Sequence, residues 1–423
     1  MSIKSCLPLI LVAPFIFASC SSDEPGGNYG NNGEFEKVDF KKIEMTAADV
    51  EAAHAEQAFG IKFLAGMAEE KKATNYKKNF AVSPLSATIC MSMLANSTTA
   101  DTYSSIVNML GYTDLDALNS FNAKLLDYLP VYNDVMKLAL ANNVWFSNKY
   151  PSTSAEYTTK MTDIFKATPS SVDFSKSSTV DALNNWADAN TFGMIPTIVE
   201  DIDPKTNMMM ANALYFKSCW EEKFDVSNTV DGTFNSANGP VTTPLMSMST
   251  IAAYYEADGV KVLTLPFKNN RAYMQFVLPP EGTDILDYVA NMTYSDFQKM
   301  NDLKSQKAWI VKIALPRFKS TSNVALNSTF EKMGVSTMGM DIAPTGIGNG
   351  APMDAIISHF TAIDVNEEGA EAAAVTLTAG YTSPNVTRKT EFIADRPFAY
   401  FIVEEATGSI LMAGVVQDPT QKD

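Results

Sequence analysis

Histidine is scarce in this sequence: the 423 residues include only His54 and His359. His54 lies in an early segment with helical spacing, among charged residues, where we expect it to be solvated. A Ser-His-Asp triad would therefore have to use His359, and the chain has no Gly-x-Ser-x-Gly motif to supply a nucleophile. We predict that the protein is not an enzyme.

Cysteine and positive charge are also in short supply. The four cysteines form no CxxC motif and no Cys/His cluster, so the sequence predicts no metal site, no cofactor and no disulfide framework. Lys and Arg number 32 against 48 Asp and Glu, which gives a formal net charge of −16. Because phosphate binding requires a basic face, this balance argues against a nucleic-acid partner.

The apolar run at residues 7–17 is too short for a membrane span and is typical of a signal peptide. Lys4 precedes the run, and Ala18-Ser19-Cys20 follows it. This ending resembles the cleavage box of bacterial lipoproteins, with a Phe before it where Leu is more usual. The resemblance implies that residues 1–19 are a lipoprotein signal peptide and that Cys20 is lipidated. The alternative is an ordinary secretory signal with an incidental cysteine.

Residues 20–45 are predicted to be the lipidated N-terminus and a flexible linker, since much of this stretch is Gly, Asn and Glu. The lipid would attach the protein to the bacterial outer membrane, either on the cell surface or in the periplasm. With Cys6 removed and Cys20 lipidated, two cysteines remain in the folded part. We expect Cys90 to be a small buried apolar residue and Cys219 to be partly exposed.

Residues 46–423 are predicted to form one domain that begins with helices. Apolar residues at helical spacing precede the charged run 69–72, which ends the first helix. Ser83 and Pro84 then form an N-cap and first helical position, and Gly111 closes a third helix. The pattern predicts three helices before any strand.

Strand signals follow, with a further helix around residues 183–186. Taken together, the order of elements predicts an α+β fold. The predicted strands are 138–146, 208–216, 272–278, 309–315, 361–365, 397–404 and 410–416.

The segment 367–390 is long for a connection inside a compact domain and has almost no large apolar residue to anchor it. Read with a period of two, one of its faces carries only small or β-branched side chains, so that face could enter a sheet at little cost. Gly369 lies at its base, where a hinge needs unrestricted φ. Ala and Glu also favour a short helix here, and the residues alone leave loop, strand and helix open.

Six sequence blocks resemble those of the serpins, in the order of that family. The likeness covers roughly residues 46–418, including the hinge signature and the segment after the reactive loop. The blocks are NFAVSPLS at 79–86, NALYFK at 212–217, LPF at 265–267, LPRF at 315–318, VNEEGAEAAA at 365–374 and FIADRPF at 392–398.

The resemblance implies a serpin fold: N-terminal helices, three β-sheets with a large central mixed sheet, and an exposed reactive loop. It also implies a monomeric suicide inhibitor of serine, or cysteine, endopeptidases, which traps the acyl-enzyme when the cleaved loop inserts into the central sheet. The alternative is a non-inhibitory serpin-fold binding protein at the cell surface.

Two groups of site residues are implied by the same resemblance. A sheet-opening cluster would lie beneath the main sheet: His359 would join Asn212 and the Ser83/Ser86 pair in one hydrogen-bonded group at the centre, and Trp220 would lie under the top. Small residues without charge or proline at the inward hinge positions favour an inhibitor. The cluster is Ser83, Ser86, Asn212, His359 and Trp220, and the hinge is Glu367, Gly369, Ala370, Glu371, Ala372, Ala373 and Ala374.

The reactive bond is placed by the usual hinge length at Ser383–Pro384, but proline on the leaving side makes a poor substrate. The bond before it, Thr382–Ser383, would suit an elastase- or subtilisin-like protease. Tyr381–Thr382 would suit a chymotrypsin-like one. We prefer Thr382–Ser383 as the reactive bond.

Overall fold

A computed structural model gives the structure of the chain and describes residues 37–112, 115–150, 153–191, 193, 195–304, 308–370 and 388–421. Within them, nine α-helices and sixteen strands form an α+β fold. The helices are α1 (Ala47–Ala73), α2 (Pro84–Ala95), α3 (Ala100–Leu110), α4 (Leu115–Tyr128), α5 (Ala155–Phe165), α6 (Ser177–Asn190), α7 (Ile285–Ala290), α8 (Tyr294–Lys304) and α9 (Asn327–Lys332).

The strands are short at the start of the chain and longer later. They are β1 (Phe80–Val82), β2 (Val131–Tyr132), β3 (Met136–Ser147), β4 (Ser170–Val172), β5 (Met208–Cys219), β6 (Val230–Ser236), β7 (Gly239–Ala257), β8 (Val260–Pro266), β9 (Ala272–Leu278), β10 (Ala308–Pro316), β11 (Phe318–Ala325), β12 (Ala355–Asn366), β13 (Gly369–Ala370), β14 (Lys389–Ile393), β15 (Phe398–Glu404) and β16 (Ile410–Val416).

Local chemistry sets several helix boundaries. Thr46 and Asp49 form a capping box at the start of α1, in which each side chain accepts a hydrogen bond from the other residue's backbone amide. Ser83 caps α2 ahead of Pro84, and Gly111 ends α3 in the left-handed conformation, as the sequence predicts. The prediction of three helices before any strand is wrong, because β1 precedes α2 and a fourth helix, α4, precedes β2.

The central sheet has the order β11-β12-β13-β5-β3-β2, with β4 paired to β3. It is mixed, since β12 runs parallel to β5 while β3 runs antiparallel to it. The other nine strands are connected by continuous pairing through the long strand β7. Residues 239–253 of β7 pair with β6 and β10, and residues 253–257 pair with β8. Two further sheets are therefore joined through this long strand.

Two apolar clusters hold the layers together. The larger one includes residues of α1, α2, β15 and β16. Every residue of β15 and of β16 is buried. The smaller one packs α6 against β3, β5 and β12 and contains Trp145, Leu183 and Phe360. The central sheet is thus covered on both faces. Among the described helices, none is both long and apolar enough to cross a lipid bilayer.

The folded body begins before the predicted boundary at residue 46. Val38 exchanges two backbone hydrogen bonds with Tyr132 of β2, and Lys41 donates its Nζ to the carbonyl of Asp127. Phe40 packs against the main core. Residues 37–45, assigned to the linker from sequence, are therefore attached to the domain.

Candidate functional site

The hinge lies at the top of the central sheet as a short strand. Residues Gly369 and Ala370 of β13 pair antiparallel with the end of β12 on one side and with the end of β5 on the other. Glu367 and Glu368 form the tight turn that joins β12 to β13. Ala370 is fully buried between these two strands.

Below this point β12 and β5 pair directly. Residues 355–362 of β12 run parallel to residues 208–215 of β5, and we call this ladder the seam. Because β13 is antiparallel to both neighbours, a longer β13 would continue downward between them and replace the seam. The sheet is therefore parted at its top and closed below.

Gly369 is required by a close backbone approach. A Cβ atom on this residue would lie 2.0 Å from the carbonyl oxygen of Ser218 and 2.7 Å from the Cα of Cys219, and its φ is +154°. Both neighbouring atoms are backbone and cannot move aside as a flexible side chain would. Only glycine allows the hinge to pair with β5 here.

Glu367 fixes the turn through a buried carboxylate. Arg317 donates to it from Nε and Nη2, with the shortest distance 2.6 Å, and Thr229 donates from Oγ1 at 2.6 Å. Burial alone would raise the pKa of Glu367, but these hydrogen bonds and the charge of Arg317 lower it below its ordinary value. Glu368 makes a second ion pair, with Lys223.

Trp220 supports the same turn from below. Its indole Nε1 donates to the carbonyl of Asn366 at 2.9 Å, and its backbone amide donates to the carbonyl of Glu368 at 2.9 Å. The buried ring stacks on Phe267, with centroids 4.7 Å apart. Trp220 therefore lies at the top of the central sheet, in contact with the turn that leads into the hinge.

His359 joins the centre of β12 to the start of α2. Its Nε2 accepts a hydrogen bond of 2.7 Å from the backbone amide of Ser83, whose hydroxyl in turn accepts from the amide of Ser86. Burial lowers the pKa of His359 to about 3, so the ring is neutral and can act as the acceptor. The ring of Phe63 meets it edge-on.

Asn212 lies beside His359 across the seam but does not hydrogen-bond to it. Its Nδ2 donates instead to Oδ1 of Asn142 on β3 at 2.5 Å, and Asn142 donates to the carbonyl of Phe165. Within the described residues, the Oδ1 of Asn212 and the hydroxyl of Ser86 are buried without a partner. The expectation of one hydrogen-bonded cluster of four residues is thus corrected to two separate sets.

Other predicted residues lie outside the described part of the chain. These are Cys20, the hinge residues Glu371, Ala372, Ala373 and Ala374, and the reactive-bond candidates Tyr381, Thr382, Ser383 and Pro384. Cys90 is buried and Cys219 half-buried, and His54 is exposed. The described residues contain no group of three or more His, Cys, Asp or Glu side chains that could hold a metal ion.

Three residues that hydrogen-bond to the candidate site could not be predicted from the sequence. Arg317 stands in the LPRF block, but nothing local indicates that it pairs with Glu367, 50 positions later. Thr229 and Asn142 carry no signal at all, since their partners lie 138 and 70 positions away. Only the strand topology brings these pairs together.

Comparison with known proteins agrees with this architecture. A family model described as Serpin (serine protease inhibitor) matches residues 54–419. A serpin-like protein of Thermococcus kodakarensis is 32% identical over 288 residues, which cover 67% of this chain and 66% of that protein. Serpin-ZX of Arabidopsis thaliana is 31% identical over 365 residues, covering 81% of this chain and 92% of the plant protein.

Solved structures show the same fold. The native state of tengpin, a thermophilic serpin, has a TM-score of 0.78 at 24% identity and covers 90% of this chain and 96% of its own. The native stressed conformation of Arabidopsis AtSerpin1 has a TM-score of 0.76 at 25% identity and covers 90% of this chain and all of its own. The family model spans most of α1, the central sheet and the hinge, and the chain belongs to the serpin family.

Proposed function

We propose that this serpin is a suicide-type inhibitor of serine endopeptidases, with cysteine endopeptidases as a second target class. The observation that carries the proposal is the position of β13. It is already paired with both β12 and β5 at the top of the sheet, and the seam below it is the path along which it would extend. Strand addition of this kind is a known outcome of serpin loop cleavage.

The chemistry would be supplied by the target protease. Its nucleophile attacks the scissile carbonyl of the loop, the peptide bond breaks, and the new amino group leaves with the C-terminal fragment. The loop remains as an acyl-enzyme joined through the hinge to β13. Insertion of the loop before water attacks the ester would carry the protease away from its docking position.

Loop insertion would be driven by a gain in backbone hydrogen bonds, because two strand pairings replace one. Insertion would break the parallel seam and form antiparallel ladders with β12 and with β5. About a dozen new backbone hydrogen bonds at roughly 0.5–1.5 kcal/mol each would contribute on the order of 10 kcal/mol. The native form would therefore be metastable with respect to the inserted form.

The target class follows from the reactive bond. We favour cleavage at Thr382–Ser383 by an elastase- or subtilisin-like protease, with Tyr381–Thr382 and a chymotrypsin-like protease as the second choice. Both bonds lie outside the described residues.

The cellular setting is part of the proposal. A lipid on Cys20 would hold a monomeric inhibitor at the bacterial outer membrane, with the residues between Cys20 and Lys37 as its tether. Inhibition of proteases at the cell envelope is the role that this arrangement suits.

A covalent-complex assay tests the function. The mature chain is mixed with elastase-, chymotrypsin- and subtilisin-type proteases, separated on denaturing gels, and the released C-terminal fragment is identified by mass. We expect a high-mass band that survives denaturation and a fragment that begins at Ser383 or Thr382. Clean cleavage without a covalent band would favour a non-inhibitory binding protein.

Gly369→Ala gives the matched variant for this assay. The added Cβ would collide with the Ser218 carbonyl, so the hinge would not pair with β5 and the loop would be cleaved as a substrate, with a loss of the covalent band. Gly239→Ala is the control, because Gly239 also has positive φ but no atom within 4 Å of its added Cβ. An equal loss of the band in both variants would show that backbone strain, rather than hinge pairing, is responsible.

A further inference from the structure

One face of α1 connects a buried carboxyl group to the sheet-opening region. Glu56, Gly60 and Phe63 stand at helical spacing i, i+4 and i+7 and therefore share this face. All three are buried.

Glu56 is a deeply buried carboxyl group with weak hydrogen bonding. The residue is 1% exposed, and within the described residues neither carboxyl oxygen meets a donor in good hydrogen-bond geometry, although the Ser409 hydroxyl and the Ile410 amide lie near enough to act on it weakly. An ionised carboxylate in such a position would be very costly, so the group is expected to carry a proton. Burial raises the pKa of Glu56 to about 8, with a smaller opposite effect of the Ser409 hydroxyl and the Ile410 amide.

The polar groups around Glu56 offer no compensating charge. Tyr112 donates its hydroxyl to the carbonyl of Ala52, and Tyr294 donates to the side chain of Gln57. The titratable groups that face Glu56 are these two tyrosines, from the end of α3 and from α8, and no lysine or arginine contributes to its pKa shift. The hydroxyl of Ser409, just before β16, is also buried, and among the described residues it makes no hydrogen bond in good geometry.

A second buried carboxyl group, that of Glu404, differs from Glu56 in its hydrogen bonding. Glu404 accepts hydrogen bonds from the hydroxyl of Tyr128 at 2.7 Å and from the amide and hydroxyl of Thr407 at 2.8 and 2.7 Å. Arg271 lies 3.7 Å away. Both carboxylate oxygens of Glu404 thus accept hydrogen bonds, whereas within the described residues neither oxygen of Glu56 accepts one in good geometry.

The next turn of α1 is in close contact with α2 and β16. A Cβ atom on Gly60 would lie 2.8 Å from the Cβ of Pro84 and 3.4 Å from Cδ1 of Ile410. Pro84 follows Ser83, whose amide donates to His359, and Phe63 meets the ring of His359 at 6.4 Å. A displacement of α1 at Glu56 therefore reaches the α2–β12 contact within two helical turns.

We propose that Glu56 is an alkaline trigger: it is a neutral acid in the native fold, and loss of its proton loosens α1 from β16 and α2 and so favours opening of the central sheet. The first half of this inference concerns the native fold alone. The second half rests on the proposed function, because opening is defined by loop insertion at the seam.

The direction of the pH effect follows from proton linkage. Because the native state binds a proton at Glu56 that the unfolded chain releases above its ordinary pKa of 4.5, the contribution of Glu56 to stability is largest in acid and falls as the pH rises toward 8. One proton changes the unfolding equilibrium constant by up to about tenfold per pH unit in that window.

Comparison with Glu56→Gln isolates this effect. Urea unfolding of the mature chain is measured from pH 5 to pH 8, and the ratio of unfolding constants, wild type over Glu56→Gln, is expected to rise by two orders of magnitude or more. Glu404→Gln is the control and should keep the alkaline loss of the wild type, because Glu56 is still present. A ratio that does not change with pH overturns the proposal.

Two further readouts keep the test decisive. The infrared C=O band of a protonated carboxylic acid should be present in the wild type at pH 6 and reduced in Glu56→Gln; if Gln prevents folding, Glu56→Met serves in its place. The rate at which the uncleaved native form converts to a more heat-stable form should rise between pH 6 and pH 9 in the wild type only. If the unfolding ratio depends on pH but the conversion rate does not, the proposed effect of Glu56 on opening of the central sheet is wrong. If the protein inhibits no protease, the proposed function fails, but the unfolding result still tests whether Glu56 is protonated in the native fold.

Discussion

At the scale of single residues, the base of the hinge depends on one buried carboxylate. Glu367 is 5% exposed and its charge is balanced by the guanidinium of Arg317, which is 43% exposed. Because the arginine is partly exposed, solvent screening reduces the contribution of the ion pair to stability. The hydrogen bonds from both partners to the carboxylate nevertheless restrain the turn between β12 and β13.

Replacing this carboxylate should destabilise the native form. We expect Glu367→Gln to lower the free energy of unfolding by about 1.5–3 kcal/mol, the usual contribution of hydrogen bonds to a charged group. Since the pKa of Glu367 is lowered in the fold, the difference from wild type should be constant above pH 4.5 and shrink as the pH falls below it.

Urea unfolding at pH 7 and at acid pH measures this effect. Glu391→Gln is the matched control, because its pair with Lys312 is exposed on both sides and should contribute well under 1 kcal/mol. Equal losses in the two variants would contradict a special role for the buried pair.

At the scale of elements, the contact between β12 and α2 rests on a neutral histidine. His359 accepts from the Ser83 amide, at the same position where Ser83 caps α2. A charged ring could not accept this bond, and it would be buried without a counter-ion. The position of α2 against the centre of the sheet is therefore sensitive to acid.

Acid should weaken the wild type more than His359→Gln. The pKa of His359 falls from 6.5 to about 3 on folding, so the unfolded chain binds the extra proton below pH 6.5 and stability drops as the pH falls. The unfolding constant of the wild type, relative to the variant, should rise up to about tenfold per pH unit between 6.5 and 3.

Thermal and urea unfolding across this range provide the measurement. His54→Gln is the control, since His54 is the other histidine of the chain and is exposed. If both variants follow the wild type at every pH, the buried ring does not control acid stability.

At the scale of the whole molecule, the proposed mechanism requires a second arrangement of the central sheet that is more stable than the native one. The seam pairs β12 and β5 in parallel, and an inserted strand would pair with both in the antiparallel sense. In the proposed mechanism, the inserted form would keep the apolar core of the native form and differ from it mainly in this ladder. Stability should therefore rise when the loop is cut, which is the reverse of the usual effect of proteolysis.

Cleavage of the loop should raise the unfolding temperature by at least about 10 °C, because on the order of 10 kcal/mol of new hydrogen bonding would be gained. Differential scanning calorimetry of intact and loop-cleaved chain measures the change. Gly369→Ala, cut at the same bond, should show little or no rise. A cleaved wild type that melts at or below the intact protein would contradict insertion.

The sequence by itself determined features that depend on local chemistry. The cap formed by Ser83 and Pro84, the left-handed Gly111, and the strands Ala272–Leu278 and Ile410–Val416 are all confirmed, because a few consecutive side chains specify each of them. The family and the serpin fold follow from motifs that stand at the sheet and hinge. Lipidation, the reactive bond and cellular location stay predictions.

Tertiary structure alone decided which distant groups meet. Arg317 with Glu367, Val38 with Tyr132, and Asn212 with Asn142 are brought together by strand order and register, which no local pattern records. The three-residue strand β1 is too short to show a period, so only its pairing with β16 identifies it. Burial of Glu56 was likewise set by packing, because a carboxyl group loses its hydration only when several elements close around it.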